Sequence, residues 1–270
     1  TYLGYAVGEA LTTGGSNTLI GSKAGQSLTT GNSNIAIGVE ALDADTLGDR
    51  NVAIGNSALG AQNFTSSTDA YNVAIGHSAG ASVTTGVRNT IVGGLAGDAL
   101  TDADANVAIG YLSLSQDTLG SKSIAIGQSA LSDQNLTSST DVYNVAIGHN
   151  AGASVTTGVQ NTLIGGLAGD ALTDADENVA VGISALSSDT LGSKTTAIGA
   201  GALFTQNFTT ATNGYNVAVG YHAGNDITTG VQNTLVGSET GDAFTDADYN
   251  VGLGFRALTT DTKGSRATAL

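Results

Sequence analysis

The chain has 270 residues and a formal net charge of −15, from 23 acidic and 8 basic side chains, with no proline, cysteine, methionine or tryptophan. That charge argues against nucleic acid, whose affinity rests on Lys and Arg neutralising phosphates, and against an anionic membrane surface. No stretch approaches the ~20 apolar residues of a membrane helix, so no membrane insertion is expected in this segment.

Taken in chain order, one element recurs: a short apolar strand closed by glycine. It first reads Thr1-Tyr2-Leu3-Gly4, and the closing glycines then fall at 21, 38, 55, 76, 93, 110, 127, 148, 165, 182, 199, 220, 237 and 254. The spacings run 17, 17, 17, 21, and that set repeats, so Gly4, Gly76, Gly148 and Gly220 are equivalent positions in a 72-residue super-repeat. A short fixed period with a glycine turn in each unit predicts a solenoid. The predicted fold is all-β: a parallel β-solenoid of about fifteen coils. Proline cannot donate to a strand ladder, so its absence fits. With aromatic residues at 5%, the lumen must be filled by Ala, Val, Ile and Leu.

Four coil types follow one another. The first carries Ala79-Gly80 and Thr84-Thr85-Gly86, the second Ala96-Gly97 and Asp102-Ala103-Asp104, and the third Asp117-Thr118-Leu119-Gly120. The fourth, longer type carries Gln62-Asn63-Phe64-Thr65-Ser66-Ser67-Thr68-Asp69-Ala70-Tyr71. Two strands per coil are expected, the second starting at Ser-Ala-Leu or Ala-Gly, with Gly, Asp, Asn and Thr making the remaining turns. At ~4.8 Å per stacked strand the coils would form a rod roughly 70 Å long. No linker interrupts the series, so a single domain over residues 1–270 is expected. Both ends fall inside a repeat without polar caps, which leads us to expect an excerpt of a longer protein.

The strands are apolar at consecutive positions, as in Val73-Ala74-Ile75. Successive side chains of a strand point to opposite faces, and continuous apolar character indicates burial on both. One face lines the lumen; the other needs cover, which the same strand of neighbouring chains would supply. A homo-oligomer, and specifically a homotrimer, is therefore expected.

Asn51-Val52-Ala53-Ile54-Gly55-Asn56-Ser57-Ala58-Leu59 resembles the Ser-Val-Ala-Ile-Gly repeat of YadA-like heads in trimeric autotransporter adhesins. It is equally similar to the Asn-Thr-Ala-x-Gly, Ala-Leu and Thr-Thr-Gly repeats of phage tail fibres and large bacterial surface proteins. The resemblance covers the whole chain. It implies a left-handed, trimeric parallel β-roll working outside the cell, at a cell surface or on a virion. One departure is coil length, since those heads use shorter coils than the 17 and 21 residues found here.

Several positions invite a functional reading. An asparagine precedes nearly every strand, from Asn17, Asn34 and Asn51 to Asn250, broken only by Ser123 and Thr195; a structural amide ladder is expected. The acidic pairs Asp102 and Asp104, Asp174 and Asp176, and Asp246 and Asp248 recur 72 apart, with Asp43 and Asp45 in another coil. Closely spaced carboxylates suit Ca²⁺, which takes six to eight oxygens; solvated turns are the competing and preferred reading. No other cofactor is implied. Insertions in repeats map to one face, often the binding face. The long loop therefore offers Asp69, Tyr71, Asp141, Tyr143 and Tyr215 as groups that would stack on a sugar and bond its hydroxyls, against the alternative that its aromatics plug a corner. His77, His149 and His222 follow strand glycines with no second ligand nearby, and no nucleophile–base set stands out, so no enzyme is expected.

The expected function is a structural and adhesive segment of a trimeric extracellular fibre, an adhesin shaft or tail fibre that displays loops repeatedly to a cell-surface glycan or receptor. The alternatives are an ice-binding or carbohydrate-binding monomeric solenoid and an end-to-end homopolymeric filament.

Overall fold

A computed structural model describes all 270 residues. The chain is all-β, a parallel β-solenoid with no helix, and it divides into two compact units. One comprises Thr1–Ser129 with Asn135–Val142, the other Ala130–Gln134 with Tyr143–Leu270. Eight stacked parallel strands run through each. Those of the first unit begin with Tyr2–Leu3, Thr18–Ile20 and Ile35–Ile37 and end with Ile124–Ile126; those of the second run from Val145–Ile147 to Thr268–Ala269. Pairing keeps equivalent residues in register, as in Val52↔Val73, Ala53↔Ala74 and Ile54↔Ile75. β-Branched residues at the two outer positions suit a pleated, half-buried surface. The central residue (Ala53, Ala74, Ile91) is fully buried in the lumen.

The expected second strand does not form. The Ser-Ala-Leu stretch is a run of turns in which alternate residues are left-handed, as at Ser57 (φ 54°) and Leu59 (φ 50°). Its backbone still bonds coil to coil: Ser57 N–H donates to Val39 O at 2.9 Å and Leu59 N–H to Ala79 O at 3.1 Å. A second, two-residue sheet occurs instead where the long loop returns. Thr68–Asp69 pairs with Gly48–Asp49, Thr140–Asp141 with Gly120–Ser121, and Thr212–Asn213 with Gly192–Ser193.

Lumen filling follows a compensation rule. Where the position four residues past the closing glycine is itself glycine, the position three further on is large and apolar: Gly97 is followed by Leu100, Gly80 by Val83. Where it is leucine, the later position is polar: Leu42 is followed by Asp45, Leu59 by Gln62. Both sets are fully buried. The polar pair is satisfied internally. Gln62 Nε2 donates to Asp45 Oδ2 at 2.7 Å, and Asn72 Nδ2 to Gln62 Oε1 at 2.8 Å. The network Asp189–Gln206–Asn216 repeats this at 2.6 and 2.8 Å in the second unit.

Candidate binding surface

The asparagine row is a side-chain-to-backbone ladder rather than mainly a stack of amides. Asn34 Oδ1 accepts the Asn51 backbone N–H at 2.9 Å, and Asn34 Nδ2 donates to Gly48 O at 2.8 Å. Direct amide contacts are fewer and longer, such as Asn51 Nδ2 to Asn34 Oδ1 at 3.2 Å. Thr195 keeps the pattern with its own backbone N–H, 2.9 Å from Asn178 Oδ1. The row is structural, tying each turn to the next.

The acidic turns are bracketing groups. Asp102 accepts from Thr85 Oγ1 and Asp174 from Thr157 Oγ1, both at 2.6 Å. Asp104, Asp176 and Asp248 accept the backbone N–H of Val87, Val159 and Val231 at 2.7, 2.8 and 2.8 Å. Asp246 accepts from Thr245 Oγ1 at 3.1 Å and lies 3.8 Å from Lys263 Nζ. No three acidic or imidazole groups converge as a cation site would require. Asp45 differs from the rest: it is fully buried in the lumen network, not in a surface turn.

Burial drives the carboxyls of Asp45 and Asp189 above the usual aspartate range, although Gln62 and Gln206 and nearby backbone N–H groups pull the other way. Desolvation also raises Asp43, Asp98 and Asp170, and Oδ1 of Asp98 and of Asp170 is buried without a hydrogen-bond partner. The folded chain therefore holds protons that the unfolded chain releases at the ordinary aspartate value. Stability falls as pH rises through that window and returns on acidification. Thermal melts are expected to give a higher Tm at about pH 4, within the ordinary aspartate range, than at pH 7. A Tm that instead drops on going from the higher to the lower of these values would show that the network favours the charged carboxylates.

The long loop separates its aromatic residues by role. Phe64, Leu136 and Phe208 are buried and plug the corner, whereas Tyr71, Tyr143 and Tyr215 stay about half exposed, at 51%, 50% and 48%. Asp69 forms an ion pair with Arg50, whose guanidinium lies 5.6 Å from the Tyr71 ring centroid. In the next loop Lys122 Nζ meets Asp141 Oδ2 at 2.6 Å. In the third, Asn213 takes the aspartate's place, leaving Lys194 over Tyr215 at 5.9 Å without an ion pair. Ion pairs this exposed contribute roughly 0–1 kcal/mol, so stability alone does not account for the cluster. The tyrosine is left-handed (φ 53° at Tyr71), as is Arg50 (φ 61°) at the matching position of the preceding coil, and the loop's return strand carries one residue more than its partner between Asp69 and Asn72, a bulge in the ladder.

The structure thus brings Asp69 and Tyr71 together, with an arginine that sequence reading passed over. That arginine was findable, because Arg50 occupies the position before a register asparagine, as Tyr71 does. The histidines are not one row: His77 and His149 directly follow their glycines, whereas His222 lies one residue later, stacked on Tyr221 at 4.0 Å.

Comparisons with protein-family models, curated proteins and solved structures returned no match to this chain. The surface is therefore read from its own residues.

Threonine forms one long column. Thr84, Thr101 and Thr118 are in register, and only the neighbouring column changes from Thr85 to Asp102. Their hydroxyls are already engaged, however: Thr84 Oγ1 donates to Thr101 O at 3.2 Å and Thr101 Oγ1 to Thr118 O at 2.9 Å.

Proposed function

We propose that this chain is a structural and adhesive segment of a trimeric extracellular fibre, either a surface adhesin or a phage tail fibre. In this reading three left-handed β-rolls pack about a common axis and hold repeated loops outward. The observation that carries it is the outer face of the strands. The residue before each closing glycine is Ile, Val or Leu in all fifteen coils, from Leu3 to Ile126 in the first unit and from Ile147 to Leu253 in the second. Ile75, Ile147, Ile198 and Leu253 are each more than a third exposed in the single chain. An unbroken apolar column of this kind marks an interaction surface, and identical chains related by rotation cover it with the same column. The long loops leave the solenoid elsewhere, so copies multiply weak contacts into avidity.

Light scattering on the chain is expected to give three times 26.5 kDa. Ile75→Lys combined with Ile109→Lys should yield a monomer whose circular dichroism is still that of a β-solenoid. A wild-type monomer would overturn the trimer and leave the apolar column to another partner. The threonine column is the one observation favouring an ice-binding face, but it is a single file with asparagine at every fourth coil, as at Asn63, Asn135 and Asn207.

A further inference from the structure

The position immediately before each register asparagine (or its Ser123, Thr195 and Ala267 substitutes) is left-handed in all fifteen coils, with φ between 50° and 64°. Glycine, asparagine and aspartate tolerate this conformation best, yet none of them occurs there. Five of the 8 basic residues do occur there: Arg50, Arg88, Lys122, Lys194 and Arg266. So do four of the 8 tyrosines: Tyr71, Tyr143, Tyr215 and Tyr249. A chain of net charge −15 thus concentrates its cations and half its tyrosines in one register position, at backbone angles that disfavour such side chains.

Within the first unit, Arg50, Tyr71 and Arg88 occupy three successive coils, all exposed. Arg50 is held by Asp69 and lies over the ring, whereas Arg88 makes no ion pair. Within the second unit, Lys194 lies over Tyr215 at 5.9 Å and Arg266 over Tyr249 at 5.3 Å, and neither cation has a carboxylate partner. The same position also holds Glu177 one coil before Lys194, so the cationic stretch of the second unit begins at Lys194.

We propose that each of these two stretches binds an anionic polysaccharide. The tyrosine rings stack on pyranose faces, and Arg88 in one unit and Lys194 and Arg266 in the other pair with carboxylate or sulfate groups. The inference deepens the adhesive reading by naming a ligand class, and it rests on that reading only in requiring that the register position stay uncovered. Arg88 lies one coil from Tyr71, and Lys194 and Arg266 lie four coils apart, roughly 19 Å by strand spacing, a span that one oligosaccharide covers. A nucleic acid carries a charge on every nucleotide and would meet Glu177 and the acidic turns alongside too few cations.

The test uses the whole chain and four probes of matched length: oligogalacturonate (carboxylate only), a sulfated dextran oligosaccharide, neutral dextran and oligothymidylate. Titration calorimetry at low and high salt is expected to show salt-sensitive binding of one or both anionic sugars and none of neutral dextran. The carboxylate and sulfate arms identify the charged group. Arg88→Ala with Lys194→Ala, and separately Tyr71→Ala with Tyr215→Ala, should each weaken binding at least tenfold, an effect within the range of combined cation and stacking losses. Ala105 already occupies the register position with φ 57°, so these variants should fold, which circular dichroism checks. Absence of binding to both anionic sugars, equal binding of neutral dextran, tighter binding of oligothymidylate, or binding indifferent to both variants would each overturn the proposal. Light scattering on the same samples keeps the readings apart: a trimer that binds neither sugar retains the fibre without this site, and a binding monomer retains the site without the trimer.

Discussion

Gly93→Ala is expected to destabilise the chain by about 3–5 kcal/mol, whereas Gly94→Ala, one residue on, should stay within about 0.5 kcal/mol of wild type. Gly93 sits at φ 139°, and a methyl group there would come 2.5 Å from the carbonyl oxygen of Gly110 in the next coil. The backbone conformation alone costs about 1–3 kcal/mol for a residue with a side chain. The overlap adds to this because the atom in the way is backbone, already fixed in the coil-to-coil ladder: Gly110 N–H donates to Val92 O at 2.8 Å. Gly94 has no such angle, and its nearest neighbour would be Tyr111 Cδ2 at 3.7 Å. Urea unfolding of the pair isolates the backbone effect from composition, since both changes add the same methyl. Equal stability of the two variants would mean that neighbouring coils shift apart readily, contrary to the tight stacking seen along the glycine column.

Gln206→Leu is expected to cost about 2–4 kcal/mol at pH 7. The side chain lies fully buried between Asp189 and Asn216, giving a donor to one and an acceptor to the other. Leucine is similar in volume, so the loss is one of polarity rather than packing. The carboxylate keeps the backbone N–H groups of Gly192 and Phe208 on Oδ1, each at 3.0 Å, but Oδ2 loses its donor. The Asp189 carboxyl, already raised by burial, should rise further, so much of the lost stability should return on acidification. Urea unfolding of the variant at pH 7 and at about pH 4.5 checks this. A deficit that is the same at both values would place the damage in packing and not in the carboxylate. The network also has a fixed direction: Asp189 only accepts, which forces the Gln206 amide to turn its nitrogen that way and its oxygen toward Asn216.

The period, the register and the buried strand centres were legible because each rests on one repeated residue type in a fixed place: Gly76, Gly93 and Gly110 at the closure, Asn72, Asn89 and Asn106 before the strand. The second strand was misread because Ser57-Ala58-Leu59 has the composition of a short strand. Nothing in leucine signals that Leu59 adopts φ 50°; that angle is imposed by the coils on either side, against local preference. The lumen network was legible in principle, since glutamine at position 62 stands where Leu100 and Val83 stand in other coils, but only once the coils are aligned on their glycines. On the candidate surface, Tyr71 and Asp69 could be picked out because the loop carrying them is longer. Arg50, Arg88 and Lys194 escaped because they lie in coils of ordinary length, and only the shared register position gathers them with the tyrosines.

The compensation between glycine and leucine in the lumen also limits how a gene for this chain can lengthen. Leu59 of a long coil approaches Gly80 of the coil after it, where a methyl group on Gly80 would lie 3.2 Å from Leu59 Cδ2, and Asp45 needs Gln62 one turn later. Loss of the long coil would set Asp45 against Val83, leaving a buried carboxylate without its glutamine. Loss or duplication of 72 residues restores every neighbour. Recombination between repeats therefore keeps every lumen neighbour when it adds or removes whole super-repeats, and each such step carries one complete long loop, with its tyrosine, along with it.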